Sequence, residues 1–289
     1  MLGVAGLTEA WSLFDSPYFS APSDCDTGAS ESWLPALDGR RVPRYRCGMV
    51  ATLNFDRFDF LSFDCYGTLI DFEAGVLAAL RPLLARHGVA LPDDELLEDY
   101  GALKLPIERE QPFQPFREVL LRTMDRLGQR FGFAPTPGER AALMASLADW
   151  PPFPDTVAAL ASLGRYFRLV ILSNIDDDLF VGSARQLRAP FAAVVTSQQA
   201  GSYKPSPANF RFMLERLGCP PGRVLHAAQS LFHDIGPAQQ AGLTTVWVNR
   251  RHDRAGFGAT PPASAEPDLT VPDLRTLVRL VEEQRAATP

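Results

Sequence analysis

Four short segments hold the residues whose side chains can do chemistry. They are Asp64-Cys65-Tyr66-Gly67-Thr68, Ser173-Asn174, Tyr203-Lys204-Pro205 and Gln229-Ser230-Leu231-Phe232-His233-Asp234. Two carboxylates, one amine and several hydroxyls and amides would form a polar site if the fold brought them to one crevice. An opposite charge within about 4–6 Å favours the ionised form of such a carboxylate. Cys25, Cys47, Cys65 and Cys219 are scattered without a CxxC pair, which fits neither a structural zinc site nor a disulfide framework.

The segments are far apart in sequence, so the fold must gather them. Phe58–Phe63 reads as a strand that stops at Asp64. Arg168–Leu172, Ala192–Thr196, Val224–Ala228 and Thr244–Val248 are further short apolar runs. Helical patterns occupy 74–87, 177–188, 206–217, 235–241 and 273–284, with Gly88, Gly218 and Gly242 as stops. Ser206 and Pro207 form an N-cap and first-turn pair, and Asp155 is placed to N-cap a helix running to Leu163. Alternating strands and helices predict an α/β fold: a doubly wound parallel sheet, Rossmann-like. The near-continuous apolar strands fit a sheet covered on both faces. Such sheets bind ligands beyond the carboxyl ends of their strands, where these segments fall.

Residues 94–149 contain no strand-like run. Helices are expected over 94–104, 115–131 and 138–149, broken by Pro106, Pro112, Pro115, Pro135 and Pro137. This block reads as a helical cap inserted after the first strand. The expected organisation is a weakly ordered N-terminal extension over 1–55, a core over 56–73 and 150–289, and a cap over 74–149. Met49 opens a cleaner sequence, so residues 1–48 read as an extension or as upstream sequence.

Composition narrows the function classes. With 28 Lys and Arg against 34 Asp and Glu, the net charge is −6, which excludes a nucleic-acid binder driven by bulk charge. The 46% hydrophobic content excludes a chain disordered throughout. No apolar run approaches the 20 or so residues of a membrane span, and the N-terminus lacks the basic region of a signal peptide. A cytoplasmic protein with no membrane or nucleic-acid partner is expected. The 25 prolines fall in the cap, the 151–154 return, the 203–207 loop and the tail, so they punctuate loops.

In order and spacing, the four segments resemble the haloacid dehalogenase superfamily over about residues 56–285. In its phosphatases a second Asp stands two positions after the nucleophile and protonates the leaving alkoxide; this chain has Tyr66 there. Gln229 stands where an acid usually ligates Mg²⁺, a cation that favours carboxylates among its oxygen ligands. Without metal, a phosphate would meet Asp64 and Asp234 with Lys204 alone to offset them. Like charges about 4 Å apart repel by about 4 kcal/mol at an effective dielectric near 20. Tyr66 looks like the (S)-2-haloacid dehalogenase branch, whose halide leaves without a general acid, metal or other cofactor.

The resemblance then implies that Asp64 attacks the halogen-bearing carbon and that water, activated near Asp234, hydrolyses the ester. It implies that Lys204 keeps Asp64 ionised, and that Thr68, Ser173 and Asn174 orient Asp64 or the substrate carboxylate. Backbone N–H groups around Tyr66 and Gly67 would hold the ester oxygen. Tyr66, Asn174, Gln229, Ser230 and Phe210 are expected to meet a small organic acid, and a homodimer is common in the family. The cap cation that receives halide in that branch has only Lys104 and Arg109 as candidates here, beside Glu108 and Glu110. Leu231 and Phe210 also depart from the dehalogenase pattern, which points to another small acid with an electrophilic carbon, such as a strained ring. His233 reads as a surface histidine, Asp234 also as a helix N-cap, Cys65 as a core filler, and Trp150 and Phe153 as packing between cap and core. The alternatives are a Mg²⁺-dependent phosphatase and a catalytically quiet binding protein on the same fold.

Overall fold

The computed structural model describes residues 53–254 and 256–287. Most of the expected N-terminal extension lies outside the described residues. Phe55 does not belong to it: it opens a short 3-10 turn and is buried in the core.

The order of elements is β1 (Phe60–Phe63), α1 (Phe72–Arg86), α2 (Asp93–Glu108), α3 (Phe116–Phe131), α4 (Pro137–Arg140), α5 (Ala142–Ser146), α6 (Thr156–Leu163) and β2 (Arg168–Ser173). There follow α7 (Asp177–Leu187), β3 (Ala193–Thr196), α8 (Ser197–Ala200), α9 (Pro207–Leu217) and β4 (Val224–Ala228). The chain ends with α10 (Gly236–Gln240), β5 (Thr244–Val248), β6 (Leu269–Val271) and α11 (Leu274–Ala287). The six strands form one parallel sheet in the order β3-β2-β1-β4-β5-β6. Strand order reverses between β1 and β4, which opens a crevice above their carboxyl ends. Phe63 at the end of β1 lies beside Ile171 of β2 and Ala227 of β4.

Local chemistry explains most boundaries. Ser206 accepts from the Ala208 N–H and Pro207 opens α9, while Gly218 at φ 63° closes it. The apolar runs of β1, β2 and β4 are almost wholly buried because helices cover both faces. The edge strand β6 goes beyond the expected pattern: three residues between prolines carry too little periodicity to register.

Two helix assignments change. Pro106 does not end α2; the helix runs through it to Glu108, with buried Ile107 packed in the core. Proline removes one donor, and tertiary burial of the last turn compensates. Asp155 makes no side-chain bond to the start of α6. Its carboxylate instead accepts from the N–H groups of Leu274 and Arg275 at 2.7 and 3.3 Å, at the start of α11. It also takes two bonds from Arg250 Nη1, and Arg250 reaches the Thr68 carbonyl through Nε and Nη2 at 3.1 and 3.0 Å. Similarly, Asp176 accepts from the Phe116 and Arg117 N–H groups at 2.8 and 3.0 Å, fastening the start of α3 to the loop after β2.

Arg250 and Asp155 are both largely buried, so removing one partner strands the other's charge. Asp155→Ala is expected to lower unfolding free energy by about 3–5 kcal/mol, measured by urea denaturation.

Candidate active site

β1 delivers Asp64 to the crevice, where its backbone N–H still donates to Ala227 of β4 at 3.2 Å. The chain then turns sharply, and the N–H groups of Leu69 and Ile70 both reach the Cys65 carbonyl. Gly67 sits at φ 98°, a conformation that favours glycine. Its N–H donates to the Ile70 carbonyl at 2.8 Å, so it is engaged in the turn and does not serve as the expected ester-oxygen donor. Thr68 Oγ1 donates to Asp64 Oδ2 at 2.9 Å and accepts from the Gln229 N–H at 2.9 Å. One hydroxyl thus links the β1 and β4 loops.

Lys204 is buried, and its ammonium has three acceptors: Asp64 Oδ1 at 2.8 Å, Asp234 Oδ1 at 2.6 Å and the Leu172 carbonyl at 2.9 Å. That set matches the three donors of an ammonium. Asn174 clamps the lysine's backbone from both sides. Its Oδ1 accepts from the Lys204 N–H at 2.8 Å and its Nδ2 donates to the Lys204 carbonyl at 3.1 Å. The Asn174 amide therefore positions the lysine, and is not held ready for a substrate carboxylate.

Asp234 lies in a π turn over Leu231–Ile235 and makes no helix-capping bond with its side chain; Ser230 caps that turn through the His233 N–H. Its carboxylate is taken by Lys204 and by His226 Nε2 at 3.2 Å. His226 Nδ1 in turn meets Ser62 Oγ at 2.9 Å. Ser62 and His226 are register partners in β1 and β4, both fully buried. The motifs did not point to this relay, although a polar residue at paired positions of two apolar strands was its visible signal.

Burial dominates the electrostatics. It pushes the Asp64 carboxyl above the usual carboxylate range, and the repulsion of Asp234 adds to it; Lys204 and Thr68 pull the other way without prevailing. The lysine therefore opposes protonation of Asp64 without restoring an ordinary carboxylate. Burial likewise raises Asp234, but the charges and donors of Lys204 and His226 outweigh it and hold that carboxyl low. Burial pulls Lys204 down, and the two carboxylates overcome it and raise it.

A cavity of about 130 Å³ opens over these groups. Asp64, Tyr66, Ser173 and Asn174 line it, as do Lys204, Gln229, Ser230 and Asp234. Thr68 supports Asp64 from behind. Phe210 is not in the cavity: it is fully buried in the core beside Val170, Leu172 and Met213, with its ring edge-on to His226 at 5.6 Å. Its position on the inner face of α9 sends the ring under the sheet. His233, expected at the surface, lines the cavity instead, because the π turn rotates it inward. Trp150 and Phe153 also face the cavity, and Trp150 packs edge-on to Tyr66. Cys65 is fully buried beside Asp64, where burial pushes its thiol well up. Lys104 lines the cavity and pairs with Glu108, whereas the Arg109 guanidinium lies over the Phe232 ring.

A family model described as haloacid dehalogenase-like hydrolase matches residues 58–242, more than half of the chain. The protein belongs to the haloacid dehalogenase-like hydrolases. Among curated relatives of this hydrolase, (S)-2-haloacid dehalogenase 1 of Pseudomonas sp. (strain CBS-3) is 25% identical over 204 residues, 69% of this chain and 88% of the relative. Pyrimidine 5'-nucleotidase YjjG of Escherichia coli (strain K12) is 24% identical over 230 residues, 78% of this chain and 98% of the relative. The structure of L-2-haloacid dehalogenase from Xanthobacter autotrophicus, with chloropropionic acid covalently bound, superposes with a TM-score of 0.65 at 22% identity. It covers 78% of this hydrolase and 98% of that chain, and it shows the shared fold. No helix among the described residues is long and apolar enough to cross a membrane.

The electrostatics of this hydrolase carry a signed prediction. Asp64 should titrate above the roughly 3.9 of an unperturbed aspartate, followed by carbon NMR of labelled aspartate. Lys204→Met removes the positive charge that favours ionisation, so the same titration should move further up.

Proposed function

We propose that this hydrolase cleaves a carbon–substituent bond in a small 2-substituted carboxylic acid, of which a 2-haloacid is the model, through an ester on Asp64. The observation that carries this reading is Tyr66, at the position where an acid would protonate a leaving alkoxide. Its hydroxyl is paired with Ser183 Oγ at 2.8 Å, and burial raises the phenol further from ionisation. A halide departs with its bonding pair and needs no proton.

The donor set supports the same reading. Both site carboxylates already hold the Lys204 ammonium, residue 229 is a carboxamide, and the described residues contain no group of three or more His, Cys, Asp or Glu arranged to hold a metal. Such a set does not fit Mg²⁺, which favours octahedral oxygen ligands including carboxylates.

In this mechanism an Asp64 oxygen attacks the substituted carbon and the leaving group departs as an anion. Ser173 Oγ, which has no hydrogen-bond partner in the structure and sits in the cavity wall, is assigned to the substrate carboxylate. Water then attacks the Asp64 ester carbonyl and gives its proton to Asp234, which Lys204 and His226 hold ionised and oriented. Collapse of the tetrahedral intermediate expels the product oxygen as an alkoxide, which takes the proton from Asp234 to become a 2-hydroxy acid, and the remaining carboxyl loses its proton to solvent and restores Asp64. Lys204 offsets the charge of both carboxylates throughout.

A panel of 2-haloacids and strained-ring acids, assayed with wild type and Asp64→Asn, tests the reading. Wild type should hydrolyse at least one, with EDTA without effect, and Asp64→Asn should lose about a thousandfold or more. A single turnover in heavy-oxygen water should label Asp64 and leave the product unlabelled. Label in the product, or hydrolysis of p-nitrophenyl phosphate abolished by EDTA, would sink it; the latter would favour the activity class named for the nucleotidase relative.

A further inference from the structure

Among the buried side-chain atoms that line the cavity, Ser173 Oγ, His233 Nε2 and Glu108 Oε2 accept or donate no hydrogen bond. The ester chemistry uses the first and leaves the other two unexplained. Glu108 ends α2 and is only 5% exposed. Its Oε1 accepts from Lys104 Nζ at 2.6 Å, while Oε2 accepts from nothing. A buried carboxylate oxygen without a donor is costly, by more than a neutral group would be. The wall therefore calls for a donor.

The neighbours restrict which donor. Lys104 already places an ammonium on this carboxylate, so a second cation would be repelled. A halogen, ether or carbonyl offers only lone pairs, which the carboxylate repels. His233 adds a second requirement. Its Nδ1 lies 3.1 Å from Ser230 Oγ, which leaves Nε2 for a ligand. Burial and the charge of Lys104 push the imidazole down to about 3, so it stays neutral, with one donor and one acceptor nitrogen. A small neutral group that both donates and accepts is a hydroxyl.

We propose that Glu108 and His233 form a subsite for a hydroxyl on the substrate, which makes the preferred substrate a small carboxylic acid hydroxylated away from its reacting carbon. This rests on the reading of a small-acid substrate given above. Glu108 and His233 are specificity residues that both line the cavity, one at the end of α2 and one in the turn after β4, so a hydroxylated acid would bridge the two. The cavity, at about 130 Å³, is comparable to a cavity of roughly 150 Å³ that holds benzene, and so accommodates such an acid.

Binding without turnover separates this subsite from the chemistry. Calorimetry should compare propionate, 3-hydroxypropionate and 3-methoxypropionate on wild type and on Glu108→Gln. Wild type should bind 3-hydroxypropionate about tenfold tighter than either other acid, the worth of one good hydrogen bond. In Glu108→Gln the Lys104 ammonium keeps the amide oxygen and the amide N–H groups face the cavity. The preference should then narrow to about twofold or invert toward 3-methoxypropionate. His233→Gln, with an unchanged melting temperature as its folding control, should also narrow it.

Equal binding of the three acids to wild type would overturn the proposal and leave water as the occupant. A full hydroxyl preference retained in Glu108→Gln would overturn it too, by placing the hydroxyl elsewhere. In a parallel assay, 2-chloro-3-hydroxypropionate should turn over with higher kcat/KM than 2-chloropropionate. Turnover of neither, with the binding preference intact, would count against the ester mechanism and leave the subsite standing.

Discussion

A single buried ammonium holds this site together. Two carboxylates brought side by side out of water repel each other and each loses its hydration, and only a positive charge between them makes the arrangement tenable. Lys204 supplies that charge with both contacts under 3 Å, and its third donor goes to the Leu172 carbonyl at the end of β2. The lysine is thus fixed to the sheet as well as to the acids. The result is a carboxyl pair with divided character: Asp64 is raised by burial, and Asp234 is held low by its two donors. The proposed ester mechanism uses that division: Asp64 is modified while Asp234 stays charged until it takes the proton of the attacking water.

Other contacts serve that triangle at one remove. Asn174 fixes the lysine backbone, Thr68 fixes Asp64, and the His226–Ser62 pair fixes Asp234 from beneath the sheet. Arg250 then ties the Thr68 carbonyl to Asp155, and Asp155 ties both to the start of α11. The turn after Asp64 and the last helix are therefore tied together, though they lie toward opposite ends of the described chain. Rigid support of this kind is what a covalent mechanism needs, because small displacements of a nucleophile are costly in rate.

Much of this was legible in the residues. Short apolar runs marked five of the six strands, and the polar groups at their carboxyl ends marked the crevice. What was hidden shares a physical cause: contacts between distant elements decided it. Proline at 106 is a local breaker, but burial of Ile107 carries α2 on to Glu108. Asp155 has the local context of a cap for α6, but an arginine 95 residues away claims it. Phe210 and His233 exchange their expected places because helix rotation and a π turn, rather than residue type, decide which face meets the cavity. Ser62 and His226 look unremarkable singly and gain meaning only through strand register.

The anchor at Asp176 has a different kind of consequence. It grips the start of α3 through two main-chain N–H groups, and every helix presents such groups whatever its side chains. The anchor thus rests first on backbone geometry, to which the Arg117 side chain adds ion pairs with Asp176 and Asp178. Cavity-facing residues such as Lys104 and Glu108 take no part in this anchor, so a change of substrate contact there leaves the attachment of α3 in place.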